Sequence, residues 1–261
     1  MKKLILLFAI AFTMSAASFG IDFSLSVGAG GLLGYTFTRY TLEDSGTMPG
    51  GGESGTIRSI QSMDRFDYGG FLFFDATYGE LSILIQGGGN AYGETMDFGG
   101  SSPVRLADSK GTGTEMSLGF SLLGKFPFEL TKKLVIFPLA GVSYHIALLE
   151  WRKPEGDIVY DRTKGELPED QDKNGDAYPL SAWNSLWIIL GAGIDYTIKG
   201  PWYLRGEALF GFRLPTGYEN GALAMTKQRF SAPDPKLSGL TGNPTLKLAV
   251  GRRFFGFSDQ P

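Results

Sequence analysis

The sequence predicts an all-β chain folded as an eight-stranded antiparallel up-and-down barrel that crosses a membrane with its strands. Three observations predict it. Alternation with a period of two recurs along the 261 residues. The connections between alternating runs are short and long in turn. The chain pairs 38 Gly with 20 Phe, a combination suited to aromatic belts outside and close packing inside. One all-β domain accounts for this length. With 43% hydrophobic and 20% charged residues the chain is no disordered tail, and the absence of Cys excludes disulfides, thiolate metal sites and a lipid-bearing N-terminal cysteine.

The elements follow in order. Lys2 and Lys3 precede an apolar run, Leu4 to Phe12, and mostly small residues from Ser15 to Gly20. That is the order of a secretory signal, so residues 1–20 are expected to be removed, with cleavage after Gly20 or after Ser18. The run is too short for a bilayer-spanning helix. Removal takes two Lys and no acid from 24 bases and 27 acids, so 22 bases face 27 acids in the barrel domain, residues 21–261. With that balance and no basic stripe, nucleic acid is not an expected partner.

The first alternating segment ends at a loop beginning near Leu42. The second places Phe66, Tyr68, Gly70, Leu72, Phe74, Ala76 and Tyr78 on one face, and Asp67, Gly69, Asp75 and Thr77 on the other with Phe71 and Phe73. The first of these faces suits lipid. A turn near 78–80 leads to the third segment. In the fourth, Met116, Leu118, Phe120 and Leu122 oppose Glu115, Ser117, Gly119 and Ser121. A turn near 127–132 leads to the fifth. The sixth aligns Leu186, Ile188, Leu190, Ala192, Ile194, Tyr196 and Ile198, and after the turn at 199–201 the seventh aligns Trp202, Leu204, Ala208, Phe210 and Phe212. The eighth closes the chain after Asn243. Four long loops are expected near 42–64, 96–113, 152–183 and 216–243. Short turns are periplasmic and long loops extracellular in outer-membrane barrels, which puts both ends of the barrel in the periplasm. Aromatic belts are expected from Phe126, Phe128, Trp202, Phe254, Phe255 and Phe257 at the short-turn end and from Tyr40, Trp151 and Trp183 at the other. A soluble lipocalin-like barrel has the same periodicity with its faces reversed. The signal, the belts and the loop asymmetry favour the membrane.

Phe137-Pro138-Leu139-Ala140-Gly141-Val142-Ser143-Tyr144, Gly191 to Tyr196 followed by Trp202-Tyr203-Leu204, and Leu248 to Phe254 resemble strands of the OmpW-type outer-membrane barrels. OmpX-like and OmpA-like barrels share such motifs. The resemblance covers the fifth to eighth segments and implies an outer-membrane protein, in contact with lipid, passing small solutes, hydrophobic ones among them. Its last stretch, with Gly251, Phe254 and Phe257, is similar to the terminal signal read by the barrel assembly machinery. Seven residues follow Phe254 where that signal usually ends the chain.

The same face assignment sends Asp67, Asp75, Glu115, Asp195 and Glu207 into the lumen with Lys125, Arg205, Arg213, Lys247 and Arg253. Asp195, Arg205, Glu207 and Arg253 fall at similar depth on three neighbouring strands, as a paired network that either plugs the barrel or opens by exchange of partners. Phe137, Leu139, Trp187 and Ile189 form an expected apolar lumen patch, either packing or an entry for a hydrophobic ligand. In the third loop Asp170, Asp172 and Asn174, followed by Gly175 and Asp176, are spaced like the start of a calcium loop. Ser181 stands where the bidentate Glu belongs, so at most a weak surface calcium site is expected, and no other cofactor. His145, the one histidine, shares a face with Ser143. That pair is the basis of a remote reading as a lipid A-modifying enzyme. The expected function is non-enzymatic: limited passage of small solutes or a structural and surface role. The alternative is an adhesin that binds a host surface ligand through its loops.

Overall fold

In the computed structural model, residues 24–47, 54–99, 104–154, 160–161, 184–214 and 236–255 are described. The strands are β1 (Leu25–Thr47), β2 (Ser54–Ala76), β3 (Gly79–Gly99), β4 (Val104–Lys125), β5 (Phe128–Thr131), β6 (Leu134–Pro154), β7 (Tyr160–Asp161), β8 (Ser185–Lys199), β9 (Trp202–Arg213) and β10 (Lys236–Phe255). Every pairing is antiparallel. β1 pairs with β10, and β4 pairs with β6, so β1, β2, β3, β4, β6, β8, β9 and β10 close an eight-stranded ring. β5 and β7 lie off the ring, which settles the strand number at eight. Closure removes the unpaired edges that an open sheet presents, as the membrane interior requires.

The ring is sealed where turn chemistry permits tight connections. β2 meets β3 across Thr77 and Tyr78, and β8 meets β9 across Gly200 and Pro201, where Gly200 adopts a φ of 55° that other residues avoid. The turn expected near 127–132 is longer than the sequence suggests. Beyond Lys125 the chain continues as β5 against β6, with Phe128 opposite Ile136, and turns at Lys132 and Lys133.

Side chains obey the period-2 rule with the apolar face outward. Leu33, Phe66, Tyr68, Leu72, Phe74, Leu122, Leu190, Leu204, Leu246 and Leu248 are exposed, while Phe71, Phe73, Asp67, Asp75, Asp195 and Arg205 are buried. A chain in water would not turn this belt outward and its charges inward. The belt spans β1 from Leu25 to Tyr35, about 25 Å at the tilt of such barrels. Above Tyr35 the outer surface becomes ionic: Arg39 meets Asp64 at 2.8 Å and Arg58 meets Glu43 at 3.2 Å. A lipid-facing groove of about 950 Å³ crosses the waist, lined by Gly31, Leu33, Tyr68, Ala192, Ile194 and Leu248 among others.

Two expectations need correction. Two of the four long loops are mostly strand: β1 and β2 remain paired up to Thr47 and Ser54, and β3 and β4 up to Phe98 and Val104. These Ser-, Thr-, Gly- and Asp-rich stretches lie above the lipid, where no apolar face is needed, so hydrophobic periodicity does not mark them as strand. Tyr40 is no belt residue. It lies on the inner face of β1, where Thr241 Oγ1 donates to its hydroxyl at 3.2 Å. Among the described side chains Tyr35, Phe66 and Tyr144 are upper outer aromatics, and the side chains of Trp151 and Trp183 lie outside those described. Residues 1–20 lie outside the described residues.

Candidate functional site

The lumen near its short-turn end is organised by Arg205, which points inward from β9 and is 1% exposed. Its Nε and Nη2 donate to the two oxygens of Asp195 on β8 at 2.7 and 2.8 Å. Nη2 also donates to Asp75 on β2, and Nη1 to Glu80 on β3, each at 2.7 Å. Register explains the convergence. Asp195 is the cross-strand neighbour of Arg205, and Asp75 of Glu80, so all four stand on the inner face near the short-turn end. Lys125 Nζ donates to both oxygens of Asp75 at 2.5 and 2.6 Å. Rings complete the shell: the Arg205 guanidinium carbon lies 4.6 Å from the Phe73 ring centre, 5.0 Å from that of Phe137 and 5.4 Å from that of Tyr203. A buried cation is tolerated only when paired this fully.

Asp195, Arg205, Glu207 and Arg253 do come together, though unequally. Glu207 stands 3.9 Å from Arg205 and 3.5 Å from Lys247, and neither of its carboxylate oxygens has a hydrogen-bond partner. Arg253 reaches Asp195 at 4.0 Å and donates to Thr197 Oγ1 at 2.9 Å. Glu80 was missed because it falls in the turn expected at 78–80. Its parity with Ser82 and Gln86, both inward, was the available signal. Arg65 was missed for a similar reason, at the end of an expected loop. It pairs with Asp67 at 2.5 Å and with Glu115, forming a second ionic layer nearer the extracellular end. Asn243 Nδ2 donates to Thr36 Oγ1 at 2.6 Å and to Asp67 at 3.0 Å in this layer.

The expected apolar patch is divided. Phe137 and Leu139 pack with Leu123 and Leu209 into a buried cluster, with Ile189 against it. Trp187 stands apart, donating from Nε1 to Ser185 Oγ at 2.9 Å, its ring 5.7 Å from that of His145. Between the ionic layers Ser121 Oγ donates to Ser143 Oγ at 2.8 Å, His145 Nε2 is 2.9 Å from Ser143 Oγ, and Gln86 Nε2 is 3.3 Å from His145 Nδ1. Two small cavities, of about 30 and 40 Å³, lie on either side of His145. Of the expected assembly signal, Gly251 is buried, where a Cβ would stand 2.3 Å from the Tyr203 ring, and Phe254 faces lipid. Phe257, like Asp170, Asp172 and Asn174, lies outside the described residues.

A closed eight-stranded ring with an apolar belt outside and paired charges inside is an outer-membrane architecture. The chain is an outer-membrane β-barrel. No protein-family model matches its sequence, and no curated protein does. Among solved structures it is similar to Ail, the attachment invasion locus protein of Yersinia pestis, in complex with the heparin analogue sucrose octasulfate (10% identity, 88% of this chain and 99% of that one, TM-score 0.28). It is similar also to the translocator domain of the autotransporter NalP from Neisseria meningitidis (13% identity, 97% of each chain, TM-score 0.28). A third is the outer membrane protease OmpT from Escherichia coli (9% identity, 89% of this chain and 97% of that one, TM-score 0.30). Identities and scores this low carry no function across, and the fold rests on strand register and face assignment.

Proposed function

We propose that this barrel is plugged and non-enzymatic, and that it serves as a structural and surface protein working through the strands that rise above the lipid. One observation carries the reading: Arg205 bonds across the lumen to carboxylates on three strands, so the lumen near its short-turn end is filled by an ionic layer that Arg205 ties together. The cavities above it, of about 30 and 40 Å³, each suit a water and no solute. The OmpW-type resemblance implies passage of small, hydrophobic solutes. The packing of Phe137 and Leu139 with Leu123 and Leu209 speaks against an entry at that patch.

Chemistry at Ser143 is disfavoured by its partners. The Gln86 amide nitrogen can only donate, so His145 Nδ1 accepts and Nε2 carries the proton. Ser143 Oγ then receives hydrogen bonds from both Ser121 and His145 and has no base to activate it. Both side chains also face the lumen, away from any lipid acyl chain.

The test is single-channel recording on the protein refolded into detergent and added to a planar bilayer. A silent bilayer is expected, with folding confirmed by a gel mobility that shifts on boiling. Discrete conductance steps in the unmodified protein would overturn the plug.

A further inference from the structure

The periplasmic rim carries a charge imbalance that neither the lumen nor the surface role uses. Lys132 and Lys133 form the β5–β6 turn, Lys199 ends β8, and Arg252 stands on β10, all four exposed. They follow one another along the rim. The Lys133 carbonyl accepts from the Thr197 backbone N–H at 2.8 Å, Lys199 pairs with Trp202, and Trp202 pairs with Arg252. Among the described residues Glu129 is the exposed acid of this arc, and across the ring the β2–β3 turn turns Asp75 and Glu80 inward. This cationic edge belongs to a chain whose net charge is −3.

The arc also sits at a defined depth. Trp202 and Phe254 are half exposed, and the Arg252 guanidinium lies 5.8 and 5.7 Å from their ring centres. Aromatic rings of this kind settle at the headgroup level, where the basic groups beside them meet phosphates. We infer that this arc of Lys132, Lys133, Lys199 and Arg252 binds the phosphate groups of anionic phospholipids in the periplasmic leaflet. Arg252 shares the outward face of β10 with Val250 and Phe254, which favours a membrane lipid over a polymer beneath the barrel. A guanidinium held over two rings is presented in the plane where lipid phosphates lie.

The folded full chain, reconstituted in nanodiscs of equal phosphatidylethanolamine and phosphatidylglycerol and then released into detergent, is weighed by native mass spectrometry with its retained lipids. Phosphatidylglycerol is expected to be retained about tenfold over phosphatidylethanolamine. The combined variant K132Q/K133Q/K199Q/R252Q is expected to lose that preference while keeping its heat-modifiable mobility. Raising salt from about 0.05 to about 0.5 M on the unmodified chain reads the same electrostatic term without mutation. Equal retention of both lipids by the unmodified chain, or a preference insensitive to the four substitutions or to salt, overturns the inference. So does binding to isolated peptidoglycan that needs the four cations while the lipid ratio stays unchanged.

Discussion

Arg205 and Glu207 face the same lumen two residues apart, yet their bonding gives them unequal weight. Arg205 makes four hydrogen bonds to three carboxylates, and its loss leaves Asp75, Glu80 and Asp195 without their shared partner. Arg205→Met is expected to lower stability by about 3 to 5 kcal/mol, the cost of breaking a buried ionic layer from one side. Glu207→Gln removes ion pairs of 3.5 and 3.9 Å without hydrogen bonds but leaves buried Lys247 without that carboxylate, and is expected to cost about 1 to 2 kcal/mol, less than the loss at Arg205. Urea unfolding of the detergent-folded barrel reads both, and equal losses would deny Arg205 its central place. Glycines give a second test. A Cβ on Gly193 would stand 2.2 Å from the Phe137 ring, whereas one on Gly31 meets no atom nearer than 3.7 Å. Gly193→Ala is therefore expected to cost about 1 to 3 kcal/mol by overpacking, and Gly31→Ala close to nothing in the same urea titration.

At the scale of the strand, the sequence is legible where lipid imposes an apolar face and illegible where it does not. Phe66 to Tyr78, Leu186 to Ile198 and Trp202 to Phe212 are read correctly because hydrocarbon selects every second side chain. Thr41–Thr47 and Ser54–Ile60 are equally regular strands, but they lie above the belt, where Glu43, Arg58 and Ile60 stand exposed and polar residues serve as well as apolar ones. The same rule decides the lumen. Parity finds Asp195, Arg205 and Glu207 from the outward Ile194, Tyr196, Leu204 and Ala208 beside them, and loses Glu80 in an expected turn and Arg65 at the border of an expected loop. The upper boundary of the lipid belt can be measured. Leu248→Arg, at the waist and 73% exposed, is expected to cost about 2 to 4 kcal/mol in urea unfolding from lipid bilayers. Ile60→Arg, which also faces outward but lies above the Arg39–Asp64 pair, is expected to cost under about 1 kcal/mol. Similar costs at the two sites would mean that the belt reaches higher than Tyr35.

For the whole molecule, strand length divides the barrel into a tall wall and a low one. Among the described residues β1 to β4 run for 21 to 23 residues, while β8 and β9 run for 15 and 12, closer to the roughly nine to eleven that a tilted strand needs to cross the lipid. The twelve residues beyond Tyr35 raise β1 and β2 about 30 Å above the belt. A barrel needs none of this height to close, and a surface protein does, so the extension and the ring should be separable. Thr41 and Ile60 are cross-strand partners, which lets a two-residue Asn-Gly turn replace residues 42–59 without shifting register. The shortened protein is expected to keep its heat-modifiable mobility and a urea midpoint within about 1 kcal/mol of the parent, because the ionic layers and the belt lie below the cut. On the proposed surface role, cells expressing the full barrel are expected to adhere to matrix-coated surfaces more than cells lacking it, and cells expressing the shortened barrel at the same level are expected to lose that gain. Unchanged adhesion would remove this wall from the surface role. Loss of folding would show instead that the tall wall is part of what holds the ring closed, since the two halves of the molecule would then stand or fall together.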